Sequence, residues 1–257
     1  MDHPRNRFKA ALAAGERQIG LWCTLSSAYA AEAVAGAAFE WLLFDTEHSP
    51  SDLETVLGLL QAVSGYPVSA LVRPSTNDPV LIKRYLDIGA QTLLIPYVQN
   101  AEQAKAAVAA TRYPPEGIRG VSALTRASRF GRVRSYAREA DSEICLLVQV
   151  ETEEALAEIE AIAAIEGVDG IFVGPGDLAA SMGHIGEPAH AAVRAAVEDA
   201  ISRIVRAGKP AGLLTGDPEI AKRCLELGAT FVAVGVDVGL LARGSDALAL
   251  QFADRKK

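Results

Sequence analysis

The sequence predicts an α/β fold, a single-domain (β/α)8 barrel over residues 1–257, with a doubly wound sheet as the alternative. Three observations carry this. Eight short apolar runs are nearly continuous, the mark of strands buried on both faces of a parallel sheet. Alanine-rich amphipathic stretches alternate with them from end to end. Ionisable residues gather where the apolar runs stop, which is where a barrel places its active site.

Taken in order, the strands are expected at Ile19–Leu25, Trp41–Asp45, Val68–Val72, Thr92–Val98, Ile144–Val150, Gly170–Val173, Ala211–Leu214 and Phe231–Val236. The helices between them are expected at Ala28–Ala38, Ser51–Val63, Pro79–Ile88, Ala101–Arg112, Glu153–Ile165, Ala191–Ala207 and Pro218–Leu227, with a last one from Gly239 to about Phe252. Ser51 and Glu54, three apart, read as a capping box. Gly36, Gly89 and Gly228 recur where a helix must stop and turn into a strand, a weak internal repeat. The stretch from Tyr113 to about Ser135, with Pro114-Pro115, Gly117, Gly120 and five arginines, is the one long irregular segment. Loops of that length in a compact barrel serve function or an interface.

Charge and composition narrow the function. A net charge of −7 argues against a nucleic-acid or anionic-membrane surface. Cys23, Cys145 and Cys224 are few, odd in number and without paired metal spacing, as in a reducing cytosol. The polar N-terminus lacks the apolar stretch of a signal peptide, and no run is long enough to span a bilayer, so a cytoplasmic location is expected.

The strand ends carry the chemistry. Strand two delivers Asp45, Glu47 and His48; strand three delivers Arg73. On strand five Gln149 and Glu151 share a face by the period of two. Strand six ends in Gly174-Pro175-Gly176-Asp177, read as a tight turn whose amides can approach an anion. Glu151 and Asp177, on neighbouring strands, repel unless protonated or bridged by a cation. Their hard oxygens suit a divalent ion; capping of the following helices is the other reading. Arg73 is either a clamp for a carboxylate or enolate or the partner of Asp45. His48 is the candidate proton-transfer group. Trp22 walls the pocket or fills the barrel, and His3, His184 and His190 receive no role.

Seven segments in order, Phe44–His48, Val72–Pro74, Tyr85–Gln91, Leu94–Pro96, Tyr113–Val121, Gln149–Glu151 and Gly174–Leu178, resemble the class II (metal-dependent) pyruvate aldolases of the 4-hydroxy-2-oxoheptanedioate aldolase family. The similarity covers nearly the whole chain and extends to members active with hydroxypyruvate. It implies that Glu151 and Asp177 hold a divalent ion (Mg, Mn or Co). It implies that Gln149 and the amides of Gly176 and Asp177 hold a 2-oxo acid, and that Arg73 stabilises the enolate. It further implies His48 as the base, Asp87 of a neighbouring subunit raising its basicity, Asp45 behind these groups, and a homohexamer acting on 2-oxo acids and aldehydes. The sequence departs from the family pattern at Cys23-Thr24, Thr46, Ser49 and Gly176, positions expected to line the pocket and bear on substrate preference. Lys83, Lys105, Lys209 and Lys222 fall on helices or connections, which disfavours a Schiff-base aldolase. Two rivals remain: a barrel isomerase or synthase acting on a phosphorylated substrate, and a non-catalytic, citrate-lyase-like subunit. The first needs a phosphate cradle after strands seven and eight, where Asp217 and Asp237 stand instead.

Overall fold

The computed structural model describes residues 1–253. Eight parallel strands close into a barrel in the order β1-β2-β3-β4-β5-β6-β7-β8. They are β1 (Gln18–Cys23), β2 (Trp41–Asp45), β3 (Ser69–Arg73), β4 (Thr92–Ile95), β5 (Cys145–Val150), β6 (Gly170–Val173), β7 (Ala211–Leu214) and β8 (Phe231–Val236). The expected doubly wound alternative is thereby excluded.

The helices are α1 (Arg7–Ala13), α2 (Ala28–Ala35), α3 (Leu53–Ala62), α4 (Pro79–Asp87), α5 (Ala101–Thr111), α6 (Tyr136–Glu143), α7 (Glu153–Ala157), α8 (Ile159–Ala163), α9 (Pro175–Ser181), α10 (Ala191–Arg206), α11 (Pro218–Glu226) and α12 (Asp237–Leu250). None of the helices described is long and apolar enough to cross a membrane.

Side chains alternate in and out along each strand. Trp22, Trp41, Leu43, Leu71, Leu147, Phe172 and Phe231 fill the barrel interior, and α1 closes its lower end with Phe8 and Leu12. Phe8 meets Trp41 and Phe231 edge-on, at 6.1 and 5.9 Å between ring centroids. Burying each such side chain contributes roughly 1.5–3 kcal/mol. The outward residues, among them Leu42, Phe44, Val72, Leu146, Val148 and Ile171, pack under the helices as a second, larger core.

Several expectations need correction. β1 stops at Cys23 rather than Leu25 because the backbone N–H groups of Thr24 and Leu25 donate to the Asp237 carboxylate, at 2.8 and 3.2 Å. β4 stops at Ile95 because Pro96 has no N–H and Tyr97 turns into the left-handed region at φ 55°. The capping box at Ser51 does not form. Asp52 is the N-cap of α3, accepting from Thr55 N–H at 2.8 Å, while Ser51 Oγ meets Ser26 Oγ at 2.7 Å. The helix expected over Glu153–Ile165 is two short helices broken at Glu158. Gly89 and Gly228 adopt positive φ at their helix ends, whereas Gly36 stays right-handed at −76°. Gly174–Asp177 is not a free turn but the start of α9, with Pro175 at the position where a missing N–H is harmless. The three cysteines are free and buried.

Candidate active site

The alternation that builds the core also builds the site. Inward positions that hold Trp41, Leu43 and Leu71 lower down hold Asp45 and Arg73 at the strand ends, and β5 continues its inward series through Gln149. Four polar side chains are thereby pressed into a nearly closed space: Asp45, Arg73, Gln149 and Glu151 are 1–5 % exposed.

Arg73 is held on two sides. Its Nε and Nη2 donate to the two Asp45 carboxylate oxygens at 2.9 and 2.7 Å. Its Nη1 lies 2.8 Å from Glu47 Oε2. Beneath it, the Trp22 ring lies 4.8 Å from the guanidinium carbon, and Trp22 Nε1 donates to Asp45 at 3.3 Å. Burial pushes the Asp45 carboxyl up, but the bonds and charge of Arg73 outweigh it and leave the group below its ordinary range. Trp22, at 3 % exposure, supports the guanidinium and offers almost no face to the cavity.

Glu151 occupies the opposite side. Its Oε1 accepts from the Tyr97 backbone N–H at 2.8 Å, and its Oε2 accepts from Gln149 Nε2 at 2.5 Å. Gly174 makes room for this pair: a Cβ there would stand 2.6 Å from Glu151 Oε2 and 2.9 Å from Gln149 Nε2. Neither Glu151 nor Asp177 is a helix cap. Thr152 caps α7, accepting from Ala155 N–H at 3.1 Å, and Asp177 sits exposed in the first turn of α9. Burial and then the charge of Asp177 push the Glu151 carboxyl up to about 7. Burial, with the charges of Asp45 and Asp177, also holds Glu47 above its ordinary range despite Arg73. Gln149 Oε1 is buried and meets no donor among the described residues.

These observations test the fit of a divalent cation. The carboxyls of Glu151 and Glu47, raised first by burial and then by neighbouring negative charge, together with the unpartnered Gln149 amide oxygen and the Asp177 carboxylate at the rim, are a hard-oxygen donor set in need of positive charge. The residues fit such an ion.

The other expected residues are placed less centrally. His48 is at the mouth, 65 % exposed, with Nε2 4.0 Å from Glu47 Oε2. A Cβ on Gly176 would meet nothing within 4 Å, so that position faces open space. Asp87 ends α4 in the outer layer, where its carboxylate pairs with Arg119 Nη2 at 3.1 Å. Cys23 points outward into the helix layer, so it does not line the pocket as expected. Thr46 is also buried away from the mouth, donating to the Arg73 carbonyl at 2.7 Å and accepting from Tyr85 at 3.1 Å. Asp217 caps α11, accepting from Glu219 N–H at 2.9 Å, and Asp237 ties β8 to the end of β1. Both acids at strands seven and eight are therefore structural.

Glu47 and Tyr97 received no role from the sequence. Glu47 lies two residues beyond Asp45, and that spacing was its signal. Tyr97 acts through its backbone, which leaves no side-chain pattern to read.

A model of the HpcH/HpaI aldolase/citrate lyase family matches residues 18–244. A pyruvate aldolase of Rhizobium etli is 67 % identical over 98 % of this chain and 100 % of its own length. A 4-hydroxy-2-oxo-heptane-1,7-dioate aldolase of Klebsiella pneumoniae is 60 % identical over 96 % of this chain and 94 % of its own. The crystal structure of an HpcH/HpaI aldolase/citrate lyase family protein from Burkholderia cenocepacia superimposes with a TM-score of 0.92 at 40 % identity, covering 96 % of this chain and 98 % of that one. With matches of this extent, the chain belongs to the HpcH/HpaI aldolase/citrate lyase family.

Proposed function

We propose that this chain is a class II aldolase that enolises pyruvate or hydroxypyruvate and adds it reversibly to aldehydes, cleaving 4-hydroxy-2-oxo acids. The observation that carries the proposal is the buried Glu151 carboxyl, pushed up to about 7 by burial and by Asp177, at the same strand-end layer as a buried guanidinium that Asp45 fixes in place.

Glu151 and Asp177 would hold Mg, Mn or Co. Such an ion supplies Lewis-acid polarisation of the ketone, which acidifies the neighbouring C–H. The remaining steps belong to the chain. Gln149 and the amides of Gly176 and Asp177 hold the 2-oxo acid, and the orphaned Gln149 Oε1 supports a polar ligand there. Arg73 donates two N–H groups to Asp45, and its Nη1 is drawn towards Glu47 as an ion pair. The N–H groups not bonded to Asp45 can meet the oxygen where negative charge develops. The bidentate Asp45 contact fixes the guanidinium before substrate arrives, so little reorganisation is needed. In the addition direction His48 Nε2 takes the proton from the carbon next to the ketone and passes it to the new alkoxide; in cleavage it takes the 4-hydroxyl proton and gives it to that carbon. Its exposure at the mouth lets it reach a substrate entering from solvent.

The same reading includes a cytoplasmic homohexamer. α12 supports self-association: of its 14 residues only Asp237 is buried, and Val238, Leu240, Leu241, Leu248 and Leu250 are exposed by 44–74 %. Val234 on the adjoining β8 is also 37 % exposed. An apolar helix face and an uncovered strand face on one chain suit a second copy. Asp87, paired with Arg119 inside its own chain, would serve the His48 of a neighbour in such an assembly.

The test is metal removal. Pyruvate release from a 4-hydroxy-2-oxo acid is expected to fall to background after dialysis against EDTA and to return on adding Mg²⁺, Mn²⁺ or Co²⁺. Undiminished release in EDTA refutes the proposal.

A further inference from the structure

At the end of the barrel opposite Glu151, a cavity of about 360 Å³ opens beside the first residues of β3 and β4. The N-terminal tail and the irregular 113–135 segment form its walls. Arg5, Arg7, Arg126 and Arg129 line it, and among the described residues no aspartate or glutamate does, in a chain whose net charge is −7. Arg5 has a carboxylate, Glu143 at 2.6 Å. Among the described residues Arg7, Arg126 and Arg129 have none.

Arg126 is built into the wall. Its Nη1 donates to the Ile88 carbonyl at 2.7 Å, and the next residue ties the segment to α4 through Ala127 N–H to the Asp87 carbonyl at 3.1 Å. The guanidinium occupies the space that a Cβ on Gly89 would need, 2.7 Å from Nη1. Burial and the charge of Arg129 both work against its protonated form. The backbone carrying the two arginines is also held rigidly. Ser128 Oγ donates to the Ala123 carbonyl at 2.7 Å and accepts from Gly131 N–H at 3.0 Å. Arg129 and Phe130 are successive non-glycine residues at φ 52° and 58°, a conformation that persists only where surrounding bonds enforce it.

Like charges fixed together at the edge of a cavity, without acids, cost free energy that a counter-anion recovers. Guanidinium groups match the two oxygens of a phosphate or carboxylate face to face. We propose that this floor cavity is a binding site for a small dianionic oxyanion, a phosphate or a dicarboxylate, held by Arg126 and Arg129. The site is independent of the aldolase reading, since none of its lining residues lies at the carboxyl end of a strand, where Asp45, Arg73, Glu151 and Asp177 stand.

The test is calorimetry and thermal unfolding of the EDTA-treated full-length enzyme with sodium phosphate and, separately, with succinate, against sodium chloride at matched ionic strength. The expected result is one site per chain for at least one of the two anions, with a rise in Tm that chloride does not give. Arg126→Gln and Arg129→Gln should each weaken that affinity at least tenfold. Circular dichroism checks the fold, and the exposed Arg129 provides a variant that keeps it even if Arg126→Gln does not. Heat with phosphate alone assigns the site to a phosphate group; heat with succinate assigns it to carboxylates. Absence of binding by both anions overturns the proposal, as when a second copy's acids already cover the cavity. Binding unchanged in Arg129→Gln also overturns it.

Discussion

The Glu151 carboxyl gives the sharpest prediction, because its burial and its neighbour Asp177 act in the same direction. Displacement from the ordinary 4.5 to about 7 corresponds to roughly 3 kcal/mol between the two protonation states. The folded pKa exceeds the unfolded one, so folded protein keeps this proton while the unfolded chain loses it. Stability from this group is therefore fully present below about 4.5 and is lost as pH rises through about 7. Glu151→Gln removes the titration and leaves a neutral side chain of nearly the same shape. Metal-free Glu151→Gln should therefore be more stable than metal-free wild type at pH 8, by up to roughly 3 kcal/mol, and should lose that advantage near pH 5. Urea unfolding followed by circular dichroism in EDTA reads the difference directly. In parallel, the affinity of wild type for Mn²⁺ should fall about tenfold per pH unit below 7, because binding requires the carboxylate. An offset between variant and wild type that is the same at both pH values would refute this account of the site's electrostatics.

Three further outcomes follow from the same geometry. Asp45→Ala strips the bidentate partner from a guanidinium only 6 % exposed; with Glu47 remaining, it should destabilise the chain by about 3 kcal/mol in urea, and a loss under 1 kcal/mol would contradict the pairing. His48→Ala should leave stability within about 0.5 kcal/mol because the ring is 65 % exposed, while pyruvate C–H exchange by NMR falls roughly 10²–10⁴-fold; full exchange would remove His48 as the base. Gly174→Ala puts a methyl 2.6 Å from Glu151 Oε2 and should weaken Mn²⁺ binding at least tenfold in a folded protein, with unchanged affinity as the contrary result.

Strand positions were legible because a parallel barrel strand buried on both faces leaves an unbroken apolar run. The same two-residue period brought Asp45, Arg73, Gln149 and Glu151 onto one inner face. The misses have different physical origins. α1 is a single short helix, and its Phe8 and Leu12, four apart, gave a signal too brief to stand out beside the strands. Gly174-Pro175-Gly176-Asp177 has turn composition, yet Pro175 fits the first position of a helix as well as a turn. Asp52 displaced Ser51 as a cap because adjacent capping residues compete and only the backbone decides between them. Cys23 was expected in the pocket as one of the departures from the family pattern, although alternation sends it to the face opposite its neighbour Trp22. The Tyr97 contact depends on a left-handed backbone that no residue type at that position announces.

The central claim is that Glu151 and Asp177 share one divalent ion on which a 2-oxo acid can assemble. Anomalous diffraction from crystals soaked with Mn²⁺ and pyruvate tests it most directly. One peak per chain bonded to a carboxylate oxygen of each residue, with Gln149 against the substrate, is the predicted result. A peak that leaves either carboxylate out of coordination would contradict it.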